Sequence, residues 1–186
     1  MTLSQSIAVG VLLAAGAGRR YGKPKVLVEG WLDAAIDALQ DGGCGAVVLV
    51  LGAAVPTWGA AAPPGVTPVV APDWRDGLSA SVRTGLAAAD RMQADYAVLH
   101  VVDTPDVGPA VVARVLARAA SSPGGLARAC FAGRPGHPVV VPRRHWPELL
   151  RGLSGDRGAA AFLRGRPDVD NVECGDLAGG QDIDEP

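Results

Sequence analysis

Lysine is nearly absent from this chain. Fifteen arginines and two lysines carry its fixed positive charge, and both lysines, Lys23 and Lys25, fall in one short loop. Aromatic residues make up 4% of the 186 residues, so aliphatic side chains and alanine must fill the core. Cysteine is limited to Cys44, Cys130 and Cys174, with no C-x-x-C pair. That spacing excludes a disulfide framework and a zinc knot, and predicts reduced thiols in a cytoplasmic protein. The net charge of −2 and pI of about 5.9 leave no broad basic surface, which argues against nucleic acid as a partner. No apolar run reaches membrane-spanning length. The N-terminal apolar run has no basic segment before it and meets Arg19 and Arg20 after about a dozen residues, so neither a secretion signal nor a membrane anchor is expected. The length suits a single domain over residues 1–186.

What is present is concentrated in residues 7–25, IAVGVLLAAGAGRRYGKPK. Ile7 to Leu13 reads as a strand buried on both faces. The loop after it holds Gly16, Gly18 and Gly22, which let the backbone approach a ligand, and Arg19, Arg20, Lys23 and Lys25. Where arginine serves every other surface, a lysine is a compact point charge that arginine does not imitate. The pattern suggests a polyphosphate site; a basic solvated loop is the plainer alternative. Two common phosphate loops fail. Position 17 is Ala and Pro24 follows Lys23, against the Walker pattern; Tyr21 stands where G-x-G-x-x-G needs its third glycine, and the second strand ends in Gly52-Ala53 without an acid.

Apolar patterning predicts strands at Ala46–Leu51, Val66–Val70, Tyr96–Val102, Leu126–Phe131, Pro138–Val141 and Val169–Glu173. It predicts helices at Trp31–Gln40, Ser81–Met92, Pro109–Ala120, Arg144–Arg151 and Ala159–Arg164, with a weak helical turn in 53–65. Strand and helix alternate, so the expected fold is α/β: a three-layer, Rossmann-like, mostly parallel sheet, with an antiparallel element suggested by the less regular second half. Ligands of such sheets lie beyond the carboxyl ends of the strands, where both the basic loop and Asp103 fall.

Several polar groups can carry chemistry there. Asp103 ends the fourth strand and can hold Mg²⁺ or Mn²⁺; alternatively it caps the next helix, a task also open to Thr104 and Asp106. Asp182 and Asp184 offer further carboxylates in a tail that otherwise reads as an acidic, frayed end. Around Gly77, Ser79 and Ser81 can present donors at a helix N-terminus, or Ser79 can simply cap it. His137, between Gly136 and Pro138, reads as a turn residue, and Gly155-Asp156-Arg157-Gly158 as a tight turn with a local ion pair. His100 and His145 read as structural or surface residues. No Ser-His-Asp or Cys-His pattern suggests covalent catalysis.

Leu13-Ala14-Ala15-Gly16-x-Gly18-x-Arg20-x-Gly22-x-x-Lys25 resembles the signature loop of the MobA-like nucleotidyltransferases, the family of the molybdenum cofactor cytidylyl- and guanylyltransferases. Its leading Ala-Ala-Gly is closer to the cytidylyl members. Val102-Asp103-Thr104-Pro105 resembles that family's metal-binding strand end, and Asp182-Ile183-Asp184 the acids that complete its metal site. Gly77-Leu78-Ser79-Ala80-Ser81-Val82-Arg83 is similar to its segment beside the nucleotide base and sugar. The resemblance spans nearly the whole chain. It implies Lys25 and Arg20 as catalytic cations and Leu13, Ala14, Ala15, Gly16, Gly18, Lys25, Ser79, Ser81 and Arg83 around the nucleotide. It implies metal on Asp103 with Asp182 or Asp184, and His137, Asp156 and Arg157 near the second substrate. The implied reaction moves CMP from CTP to the terminal phosphate of a molybdopterin-type acceptor, with a molybdoenzyme or its chaperone as partner. A guanylyltransferase, a transferase for another phosphorylated molecule, a non-catalytic cofactor chaperone and an NAD(P)-binding oxidoreductase are the alternatives. One departure stands out: Val26 to Leu32 is shorter than the family's segment and lacks its Gly-x-Pro-Leu hairpin.

Overall fold

The computed structural model describes residues 6–58 and 61–185. Seven strands form one sheet: β1 (Ala8–Leu13), β2 (Ala46–Leu51), β3 (Val66–Val70), β4 (Tyr96–Val101), β5 (Leu126–Phe131), β6 (Arg134–Pro142) and β7 (Val169–Glu173). Their order is β3-β2-β1-β4-β6-β5-β7. All neighbours are parallel except where β6 runs against β4 and β5. Strands β1 and β2 are buried almost throughout, as a strand covered by helices on both faces must be.

Helices α1 (Trp31–Asp41) and α3 (Pro109–Ser121) cover one face, packing Leu39, Val112 and Val115 on Leu12, Leu49 and Val98. On the other, α2 (Leu78–Arg91), α4 (Trp146–Gly152) and α5 (Ala160–Leu163) pack Leu86, Leu149 and Leu163 against Val11, Val50 and Leu99. Alternate residues of β1 enter opposite clusters, which is the period-two rule of a pleated strand.

Three expectations need correcting. Strand β6 begins at Arg134 rather than Pro138, because Ala132 (φ +51°) and Gly133 (φ +75°) make a two-residue hairpin turn with both central φ positive. The Glu173 carboxylate accepts from both turn amides at 2.9 and 3.0 Å. Helix α2 starts at Leu78, three residues early, with Gly77 as its N-cap. The stretch 53–65 holds no helical turn in its described part; residues 59–60 lie outside the described residues. Among the described residues no helix is long and apolar enough to cross a membrane.

His100 on β4 is fully buried. Among the described residues neither of its ring nitrogens nor Thr104 Oγ1 has a hydrogen-bond partner. Burial, helped by the nearby His137, lowers its pKa from 6.5 to about 3. The unfolded chain therefore binds a proton that the folded one refuses between those values. Stability should drain as pH falls from about 6.5 to about 3, at up to about 1.4 kcal/mol per pH unit. Urea unfolding across that window should show a shallower pH dependence for His100→Leu than for wild type.

Gly85 lets α2 rest directly on the sheet. A Cβ there would collide with Val11 Cγ1 and stand 3.1 Å from Val50 Cγ2. Overpacking costs about 1–3 kcal/mol, against about 1 kcal/mol that alanine gains over glycine in a helix. Gly85→Ala should lower the urea midpoint despite alanine's better helix propensity.

Candidate active site

Because β1 and β4 are adjacent and parallel, the loop after β1 and the turn after β4 emerge side by side. The loop is held near its base by Ala14 N donating to Val50 O and Ala53 N to Ala15 O, each at 3.0 Å. Gly18 (φ +59°) must be glycine, since a Cβ would run into the Lys23 carbonyl. Gly16 differs: a Cβ there meets nothing within 4 Å, because the residue faces an open cleft. Among the described residues the amides of Gly16, Ala17 and Gly18 have no protein acceptor, so they are free for an anion.

Pro24 then directs the chain into a 3₁₀ turn, Lys25–Leu27, which leads into α1 through the segment that the sequence marks as shortened. The turn aims Lys25 inward. Its Nζ donates to Asp103 Oδ2 and Asp184 Oδ1, both at 2.8 Å, and Arg20 pairs with Asp184 Oδ2 at 2.8 Å. The Lys25 side chain is 13% exposed, Asp103 23% and Asp184 39%. Burial alone would push the Lys25 ammonium down; its hydrogen bonds to Asp103 and Asp184 carry it above the ordinary lysine value. The hydrogen bond from Lys25 holds the Asp184 carboxyl below the usual carboxylate range. Burial, with Asp103 beside it, pushes Asp182 up. His137 is lowered by burial against the opposing pull of Asp182 and Asp103.

The described part of the tail is tied to the body of the protein rather than loose. Gly179 and Gly180 amides donate to Asp106 Oδ2 at 2.7 and 3.0 Å, and Ile183 N donates to Asp103 O at 3.0 Å. Asp106 is therefore a tail anchor rather than a helix cap, and α3 begins at Pro109 with Gly108 as N-cap and no side-chain cap. Nor does Asp103 cap it.

These groups line a cleft of about 550 Å³ that includes Leu13, Ala14, Ala15, Gly16, Gly18, Arg20, Lys25, Ser81, Asp103, His137, Asp156, Asp182 and Asp184. A second cavity of about 670 Å³ adjoins it and shares Leu78, His137, Asp156, Asp182 and Asp184. Arg157, Arg128, Phe131 and Arg134 are among the other residues of its wall. Three sequence-selected residues lie elsewhere. Lys23 is exposed and outside the cleft. Arg83 donates to Leu150 O and Leu153 O at 2.9 and 2.8 Å, fastening α2 to α4, and Ser79 Oγ donates to Gly155 O. Both face a separate cavity of about 270 Å³.

Sequence reasoning gave no site role to Tyr21, Trp74 or Arg75, which line the cleft; Arg75 stacks on the Trp74 ring at 4.6 Å. A tryptophan beside a glycine turn, in a chain so poor in aromatics, was the available signal. Gly77 (φ +102°) lets the start of α2 approach the Gly155–Arg157 turn, which brings Asp156 to the cleft.

No three His, Cys, Asp or Glu side chains among the described residues are grouped tightly enough to hold a metal by themselves. Yet the Lys25 ammonium already stands between Asp103 and Asp184 as a cation on carboxylate oxygens. An all-oxygen donor set of this kind, completed by phosphate oxygens, fits Mg²⁺ or Mn²⁺.

Nicotine blue oxidoreductase of Paenarthrobacter nicotinovorans is 36% identical over 191 residues, covering 94% of this chain and 91% of that protein. Rv0371c of Mycobacterium tuberculosis H37Rv is 29% identical with a TM-score of 0.78, over 98% of this chain and 95% of that one. Its structure in complex with manganese superposes with a TM-score of 0.71 at 28% identity, over 91% and 89% of the two chains. The 2-C-methyl-D-erythritol 4-phosphate cytidylyltransferase of Thermus thermophilus gives a TM-score of 0.63 at 25% identity, over 95% and 93%. Residues 10–172 match the MobA-like NTP transferase domain, and the chain belongs to that nucleotidyltransferase family.

Proposed function

We propose that the protein transfers CMP from CTP to the terminal phosphate of a phosphorylated acceptor of the molybdopterin class. The observation that carries this reading is the meeting of Lys25, Asp103 and Asp184 within 2.8 Å contacts, under a glycine loop with free amides. The Leu13-Ala14-Ala15-Gly16 run favours cytidylyl transfer, as does the likeness to a cytidylyltransferase.

In this reading the triphosphate lies on the amides of Gly16 and Gly18, with Arg20 and Lys25 neutralising its oxygens. An acceptor phosphate oxygen forms a bond to the α-phosphorus as the α–β bridging bond breaks, and pyrophosphate carries away the electron pair. The work of the chain is positioning and charge neutralisation, which such reactions need more than a general base. A divalent ion on Asp103 with Asp184 or Asp182 would add charge neutralisation at the phosphates. The second cavity, with His137, Asp156, Arg157 and Arg134, accommodates the acceptor.

A second reading follows from the 36% identical relative named as an oxidoreductase. A nicotinamide dinucleotide would lie across the same loop and pass a hydride to an aromatic acceptor in the second cavity. Pyrophosphate release measured with each of four nucleoside triphosphates, with and without molybdenum cofactor, separates the readings when run beside NADPH oxidation with a dye acceptor. CTP-dependent pyrophosphate release supports the first; NADPH loss with no pyrophosphate overturns it in favour of the second.

Lys25→Ala should lower turnover by about 100- to 1,000-fold while changing CTP affinity far less, as read by single-turnover kinetics and calorimetry. Asp103→Asn should lose metal-dependent activity; an unchanged Mg²⁺ titration would remove Asp103 from metal binding.

A further inference from the structure

The two cations assigned to the phosphates are already engaged by one carboxylate. Asp184 Oδ1 accepts from Lys25 and Asp184 Oδ2 pairs with Arg20, both at 2.8 Å. Two oxygens of one anion thus each take one cation, as two non-bridging oxygens of a phosphate would. Asp184 also lies on the wall common to both cavities.

The tail is built to present it. Its upstream anchors, the Gly179 and Gly180 amides on Asp106 and the Ile183 amide on the Asp103 carbonyl, all precede Asp184. Beyond Ile183, Asp184 is tied through its two ion pairs, and the Arg20 side chain is 75% exposed. Exposed ion pairs hold weakly. The Arg20 pair therefore gives way readily, and an arriving anion that takes over the Lys25 contact frees the carboxylate while the anchored part of the tail stays in place.

We propose that Asp184 is an internal surrogate for a substrate phosphate. It occupies Lys25 and Arg20 until a polyphosphate displaces it. The same exchange draws Lys25 off Asp103, so the slot between the two carboxylates opens to a divalent cation only as the anion arrives. This rests on the nucleotide-binding reading above and adds an order to it: polyphosphate first, cation with it or after it.

The proposal predicts a reversal of sign. In EDTA, Asp184→Asn should bind inorganic tripolyphosphate about fivefold more tightly than wild type by calorimetry, since both competing ion pairs of Asp184 have been removed. With Mn²⁺ present, the same variant should lose most of the enhancement that the ion gives wild type. Equal or weaker tripolyphosphate binding by the variant in EDTA overturns the proposal, as does failure of both proteins to bind. Lys25→Met supplies an independent measurement. With the ammonium gone from between Asp103 and Asp184, it should bind Mn²⁺ several-fold tighter than wild type without nucleotide, read from the EPR signal of free Mn²⁺. Unchanged or weaker Mn²⁺ binding overturns the competition. If Asp184→Asn gains affinity for tripolyphosphate while CTP binds no better than tripolyphosphate itself, the displacement stands and the cytidylyl reading falls.

Discussion

One ammonium group joins three distant parts of this chain. Lys25 comes from the first loop, Asp103 from the end of β4 and Asp184 from the tail, separated by 78 and 159 positions in sequence. Two carboxylates brought together in a cleft repel unless a cation lies between them. That requirement fixes where the loop, the strand end and the tail can sit. Asp182 adds a further negative group to the same corner, and Arg20 adds the compensating positive charge at its rim.

The sheet makes this meeting possible. The order β3-β2-β1-β4-β6-β5-β7 places β1 beside β4, the middle strand, and aligns its carboxyl end with that of β4. Both strands are clamped from two sides by apolar clusters, so their ends are held firmly while the loops beyond them carry the polar groups. Chemistry at the strand tips, on a rigid base, is the general outcome for open α/β sheets.

Much of this could be read from residue types. The two lysines in an arginine-rich chain point to the loop that meets Asp103 and Asp184, and a carboxylate at the end of an apolar strand points to Asp103. The seven strands and the antiparallel element were legible from periodicity. What could not be read depended on contacts between distant segments. Lys23 differs from Lys25 by two positions, and only the turn after Pro24 decides which of them points inward. Ser79 and Arg83 fit a ligand-binding pattern, but the carbonyls of Gly155, Leu150 and Leu153 take their donors instead. The early start of β6 depends on Glu173, some forty residues away, holding the Ala132–Gly133 turn. Asp106 has the composition of a cap, and its actual partners lie in the tail.

The one reversed strand has a consequence for how such proteins diversify. Residues Val139–Pro142 of β6 pair with β4, while Arg134 and Pro135 pair only with β5 and reach past the end of β4. That overhang, with Phe131 and Arg128, forms a wall of the second cavity and contributes nothing to the glycine loop. The hairpin tip can thus be lengthened, shortened or recharged while the anion-holding half stays intact. One half of such a molecule can thus vary without the other, and the proteins this chain resembles carry names as different as an oxidoreductase and a cytidylyltransferase.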